Sequence, residues 1–78
     1  MQRIISVFNK VDDKLIKEID IGFLELDKLK EIFKPSEDDP LMYLVYPITD
    51  REAGELRKYI NIDFDFKEFL YQLDCFDS

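Results

Sequence analysis

Residues 37–52 read EDDPLMYLVYPITDRE, and the reading of this stretch decides the fold. Acids lead into an apolar run, 41–46, which is bounded by Pro40 and Pro47 and followed by a helix start. Leu41, Tyr43 and Val45 alternate with Met42, Leu44 and Tyr46, so both faces of an extended run would be apolar. That pattern predicts a strand over 41–46 with cover on both faces and neighbours on both sides, placed centrally in a sheet. A buried helical segment is disfavoured by the shortness of the run and by the flanking prolines.

Working towards the C-terminus, Thr49-Asp50-Arg51-Glu52 has the form of a capping box. The threonine hydroxyl and the glutamate carboxylate can each satisfy a backbone N–H at the start of a helix. Ile48 before the cap and Ala53 after it can form a hydrophobic staple. Ala53, Leu56 and Ile60 then make one apolar stripe, predicting a helix over 50–60. The last segment supports two readings. Phe66, Phe69, Leu70, Leu73 and Phe76 fit a helix with Asp65 and Glu68 near its start, whereas Phe69, Tyr71, Leu73 and Cys75 alternate as a strand. One helical turn followed by a strand over 70–76 is the preferred assignment.

Working towards the N-terminus, Leu26, Leu29, Ile32 and Phe33 recur at helical spacing and predict a helix over 25–33. Its cap is poor, because no Ser, Thr or Asn precedes it. Pro35 ends it, since a residue before proline is pushed out of helical geometry. Further back, RIISVF (3–8) reads as a strand with Ile5 and Val7 on one face and Ile4 and Phe8 on the other. The run 15–21 alternates, with Leu15, Ile19 and Ile21 opposite Glu18 and Asp20, and NKVDD between the two runs has the chemistry of a hairpin turn. Lys17 falls on the apolar face, which implies that this face is not covered along its full length. The expected fold is α+β: an antiparallel sheet of three or four strands with both helices packed on it, as a single domain over 1–78.

The composition fits that picture. Of 78 residues, 46% are hydrophobic, enough for one compact core and too many for a disordered chain. The single cysteine, Cys75, rules out an internal disulfide. With no signal peptide apparent, it points to a reducing, cytoplasmic setting in which Cys75 acts as a small hydrophobe. No run approaches the ~20 apolar residues that span a bilayer. The chain lacks histidine and tryptophan, which removes histidine-dependent triads and makes a zinc site implausible. Its two glycines, Gly22 and Gly54, form no phosphate-binding loop. Asp63 and Asp65 could share one side of an extended segment, but the EF-hand glycine and late glutamate are missing. No enzyme activity, cofactor or metal is expected.

Charge carries the functional signal. The net charge is −7, and residues 1–34 are neutral, so the whole excess lies in 35–78. Such a field repels nucleic acid and anionic membrane and attracts basic partners. Four tyrosines lie among the acids, a combination suited to a basic protein surface. Asp38, Asp39, Tyr43, Tyr46, Asp50, Glu52, Glu55 and Tyr59 are the candidate partner-binding residues. The bland alternative for each acid is a solvated surface or a turn former, as the Asx chemistry of Asp12-Asp13 and Asp38-Asp39 suggests.

The residues also resemble a family. Leu26-x-x-Leu29-x-x-Ile32-Phe33, Asp38-Asp39-Pro40 followed by Met42-Tyr43, then Tyr46-Pro47-Ile48-Thr49, and Phe64-Asp65-Phe66 with a closing aromatic run are similar to small bacterial immunity proteins. These accompany contact-dependent growth inhibition and other polymorphic toxins. The resemblance spans roughly 22–74 and departs at Glu25, where a serine-type cap is expected, and at Leu41, an extra residue between Pro40 and Met42. It implies a protein that neutralises a cognate toxin by binding its C-terminal domain, typically a basic nuclease. No catalytic residues carry over. The competing readings are a phage-type nucleic-acid mimic that blocks a DNA-binding host protein, and a structural subunit.

Overall fold

The structure, a computed structural model, describes residues 2–76. The chain begins with a hairpin, β1 (Gln2–Asn9) and β2 (Leu15–Asp20). Its turn is built by side chains: Asn9 Oδ1 accepts the Val11 N–H at 2.8 Å and Asp12 Oδ1 accepts the Lys14 N–H at 3.1 Å. Asp13 takes a left-handed φ of 59° to close it. The predicted Asx chemistry of this turn is present at Asp12.

Helix α1 (Leu26–Phe33) follows. Glu25 stands at its N-cap without a side-chain cap bond, in keeping with the poor cap expected there. At the other end Lys34 turns left-handed at φ 49° and donates its N–H to Lys30 O, and Pro35 follows. Leu29, Ile32 and Phe33 are buried on one face. After a long loop come a two-residue strand β3 (Tyr46–Pro47), helix α2 (Asp50–Leu56) and a final strand β4 (Phe69–Phe76). Helix α2 is shorter than the stripe predicted: beyond Leu56 the chain tightens into turns, with Tyr59 N–H bonded to Leu56 O at 2.9 Å.

The sheet has four strands, all antiparallel, in the order β2-β1-β4-β3. The expected α+β class and antiparallel sheet with two packed helices are present. The central position is a correction. Residues 41–46 do not form the central strand; β1 and β4 do, paired over their whole length from Gln2↔Phe76 to Asn9↔Phe69. Only Tyr46 and Pro47 of the decisive stretch join the sheet, at its edge, opposite Leu73 and Gln72. The final segment is therefore strand rather than helix. Tyr71 and Leu73 serve the core from alternate positions, and a ladder with β1 satisfies backbone groups that a short terminal helix would leave open.

The two faces of the sheet differ. On one, Ile5 and Val7 of β1 and Tyr71 and Leu73 of β4 join Leu29, Ile32, Phe33, Ala53 and Leu56 of the helices in a single buried core. Met42, Ile48 and Phe64 seal it from the loops. Towards β2 this cover ends. A groove of about 550 Å³ opens between Val7, Ile16, Lys17, Ile19, Ile62 and Tyr71, so the apolar face is uncovered where Lys17 falls on it, as expected. A register shift between Val7 and Phe8 changes one assignment: Leu15 pairs with Phe8, which carries it to the opposite face from Ile19. That opposite face has no helix on it.

Candidate protein-binding site

The loop 36–45 is built around one carboxylate. Asp39 is buried. Its Oδ1 accepts the Tyr43 N–H at 2.8 Å, and its Oδ2 accepts the Leu44 N–H at 3.1 Å and the Tyr46 hydroxyl at 2.5 Å. The Met42 N–H bonds back to Asp39 O at 3.1 Å. Met42 itself adopts a left-handed φ of 56°, and its side chain is inserted into the core. Arg3 Nη2 donates to Leu41 O at 2.7 Å, tying the loop to the start of β1. The Tyr46 ring packs on Phe33 with centroids 5.9 Å apart.

These contacts explain why 41–45 is not a strand. Asp39 takes the N–H groups of Tyr43 and Leu44 that a ladder would use, and the turn at Met42 breaks the alternation. Apolarity on both faces therefore reports one inward anchor, Met42, and several outward side chains. Leu41, Tyr43, Leu44 and Val45 are 45%, 50%, 62% and 57% exposed. A cluster of exposed apolar side chains on an ordered loop marks an interaction surface, and Tyr43 is the type of residue that anchors one.

The electrostatics match this construction. The Tyr46 hydroxyl bond holds the Asp39 carboxyl below its ordinary range, helped by the backbone N–H groups of Tyr43 and Leu44 and opposed by burial. Burial, then the bond to Asp39 and its charge, pushes the Tyr46 phenol up to about 12. The pair is thus a carboxylate and a neutral phenol across the neutral range.

Helix α2 begins with the predicted capping box: Thr49 N–H donates to Glu52 Oε1 at 2.8 Å, and the Thr49 hydroxyl donates to the same oxygen. Burial acts to raise the Glu52 pKa, but the Thr49 hydroxyl and backbone bonds and the neighbouring Arg51 guanidinium bring it below the ordinary value.

The eight candidate residues therefore divide. Asp39 and Glu52 are buried and Tyr46 is half-buried, and their polar groups are bonded within the chain. Asp38 and Tyr43 are exposed on the loop, and Asp50 is exposed at the start of α2. Glu55 pairs with Lys58 at 3.0 Å. Tyr59 is half-exposed after α2, with Lys28 Nζ 5.8 Å from its ring centroid. Leu41, Leu44 and Val45, which read as core in an apolar run, are exposed instead. The available signal was Asp39 just ahead of a proline, four and five residues before the amides it caps.

Among known families, residues 2–74 match the profile of a domain of unknown function, DUF7683. No curated protein matches the chain, and no solved structure does.

Proposed function

The chain belongs to the DUF7683 family, and we propose that it is an immunity protein that binds and neutralises the C-terminal domain of a cognate bacterial toxin, a basic nuclease. It acts by occupying a surface rather than by catalysis. The observation that carries this reading is the loop 41–45. Its apolar side chains are presented by a buried carboxylate, so little ordering entropy is lost on binding. Asp38 and Asp50 flank this stretch, and the net charge of −7 supplies a long-range field towards a basic partner.

The phage-type nucleic-acid mimic is the second reading. A mimic of phosphates calls for acids spaced along an exposed face, whereas the loop 41–45 exposes apolar and aromatic side chains, Leu41, Tyr43, Leu44 and Val45. That favours a protein partner met through side-chain packing. A lone, half-buried cysteine suits a reducing cytoplasm, where such a toxin would act. No helix among the described residues is long and apolar enough to cross a membrane.

The test pairs this chain with the toxin domain encoded beside it. Co-expression should restore growth, and association should be fast and slowed by salt. Leu44→Ala with Tyr43→Ala should weaken the complex by tenfold or more without unfolding the chain, as loss of interface anchors does. A chain that protects against no neighbouring toxin refutes the immunity reading.

A further inference from the structure

The sheet face opposite the helices has a composition that solvent does not explain. Strand alternation and register place three rows on it. Asp20, Ile4 and Asp74 form the first, through the pairs Ile4↔Asp20 and Ile4↔Asp74. Glu18, Ser6 and Gln72 form the second, through Ser6↔Glu18 and Ser6↔Gln72. Leu15, Phe8 and Leu70 form the third, through Phe8↔Leu15 and Phe8↔Leu70. Phe76 extends the face beyond the first row, opposite Gln2.

Antiparallel sheets with one wet face ordinarily carry polar residues there. Here Leu15, Leu70 and Phe76 are 50%, 45% and 43% exposed, and Ile4 and Phe8 are only partly covered. The charged residues of the face are all acidic, and no lysine or arginine occupies any strand position on it. Strand spacing puts the Asp20 and Asp74 positions about 10 Å apart, on either side of Ile4. Asp74 is held in place by the Ser6 hydroxyl at 2.5 Å and by Gln72 Nε2 at 2.9 Å. Asp20 Oδ1 accepts the Gly22 N–H at 2.7 Å. Neither carboxylate gains a cation from these bonds.

We infer that this open sheet face is a second docking surface, distinct from the 41–45 loop, and that its occupant is a basic, amphipathic polypeptide segment. The apolar row Leu15-Phe8-Leu70 receives the segment's apolar side chains, and the exposed Glu18 and Asp20 receive its lysines or arginines, while the buried Asp74 adds its charge from beneath. A second copy of this chain is the poorer occupant. Pairing the face with itself would bring carboxylates together with no cation of the face between them, and like charges in apposition cost affinity. The surface includes Glu18 and Asp20 from the electrically neutral half of the sequence, which the fold brings beside Asp74 from the acidic half.

The inference is tested without the toxin, so its outcome is separate from that of the immunity reading. The full chain is titrated with a short synthetic peptide of alternating lysine and leucine, and with its glutamate–leucine counterpart, while backbone and methyl NMR shifts are followed. The expected result is saturable binding of the basic peptide alone, with shifts centred on Ile4, Phe8, Glu18, Asp20, Leu70 and Asp74. Glu18→Lys with Asp20→Lys should weaken it about tenfold or more, as charge reversal opposite a basic partner does. Leu70→Asn, which leaves the charges intact, should weaken it as well and serves if the double reversal does not fold. Asp38→Lys with Tyr43→Ala, on the loop, should leave it unchanged. Shifts mapping to the loop, equal binding of the acidic peptide, no binding, or sedimentation showing that the chain alone self-associates through this face would each overturn the inference.

Discussion

Asp39 is the residue on which the 36–45 loop depends. Replacing it with alanine removes the acceptor for two backbone amides and a phenol at once. Hydrogen exchange should then accelerate at Tyr43 and Leu44, and the partner should bind more weakly, because the apolar side chains must be ordered on contact. The same group sets a pH dependence. Asp39 and Glu52 titrate in the folded chain below their ordinary values of 3.8 and 4.5, so the unfolded chain binds protons more readily. The stability they add is complete above those values and is lost as pH falls through the lower folded ones. Tyr46 runs the other way: its contribution is complete below its ordinary 10.0 and is lost as pH rises towards about 12. Urea melts across pH should show both limbs, and Tyr46→Phe should shrink the alkaline one, leaving the part that Lys58 contributes through its raised pKa beside Glu55. At α2, Thr49→Ala should cost about 0.5–2 kcal/mol by loss of the capping bonds, while partner affinity falls only with the folded fraction. A large direct loss of binding with unchanged melts would place Thr49 in the interface instead.

Among the elements, β4 and the 41–45 loop exchange the roles their sequences suggest. The apolar loop is displayed, and the terminal strand forms the centre of the sheet. Leu73, in the middle of β4 and fully buried, should cost about 2–5 kcal/mol when cut to alanine, through lost burial and the cavity left behind. Leu44→Ala and Val45→Ala should each change stability by no more than about 0.5 kcal/mol, as surface substitutions do, while still weakening a bound partner. Denaturation midpoints measured beside affinities separate the two classes. Equal destabilisation by Leu44→Ala and Leu73→Ala would mean that the loop is core after all.

For the whole molecule the field matters more than any one pair. Exposed charges steer encounter and are screened over about 8 Å at physiological ionic strength. Association with a basic toxin domain should therefore slow as salt rises, with dissociation far less affected. Asp38→Lys with Asp50→Lys should reduce both the association rate and its salt slope. An unchanged slope would remove electrostatics from the mechanism, and leave the apolar loop to account for binding.

Local chemistry determined those features that depend only on neighbours along the chain. The hairpin turn at Asp12, the poor start of α1 and its stop before Pro35, the capping box at Thr49 and the acid excess of 35–78 were legible because turn residues, caps and charges act within a few positions. The two faces of β1 were legible because strand alternation is itself local. Tertiary structure decided where the apolar segments went. LMYLVY at 41–46 and FLYQLDCF at Phe69–Phe76 are both short and apolar, and periodicity cannot rank them for a central strand. The choice fell to long-range terms: a full ladder between β1 and β4 on one side, and on the other an aspartate that captures the Tyr43 and Leu44 amides before a sheet can. The same ladder set Glu18 and Asp20 beside Asp74, a juxtaposition that no count of charge along the sequence contains.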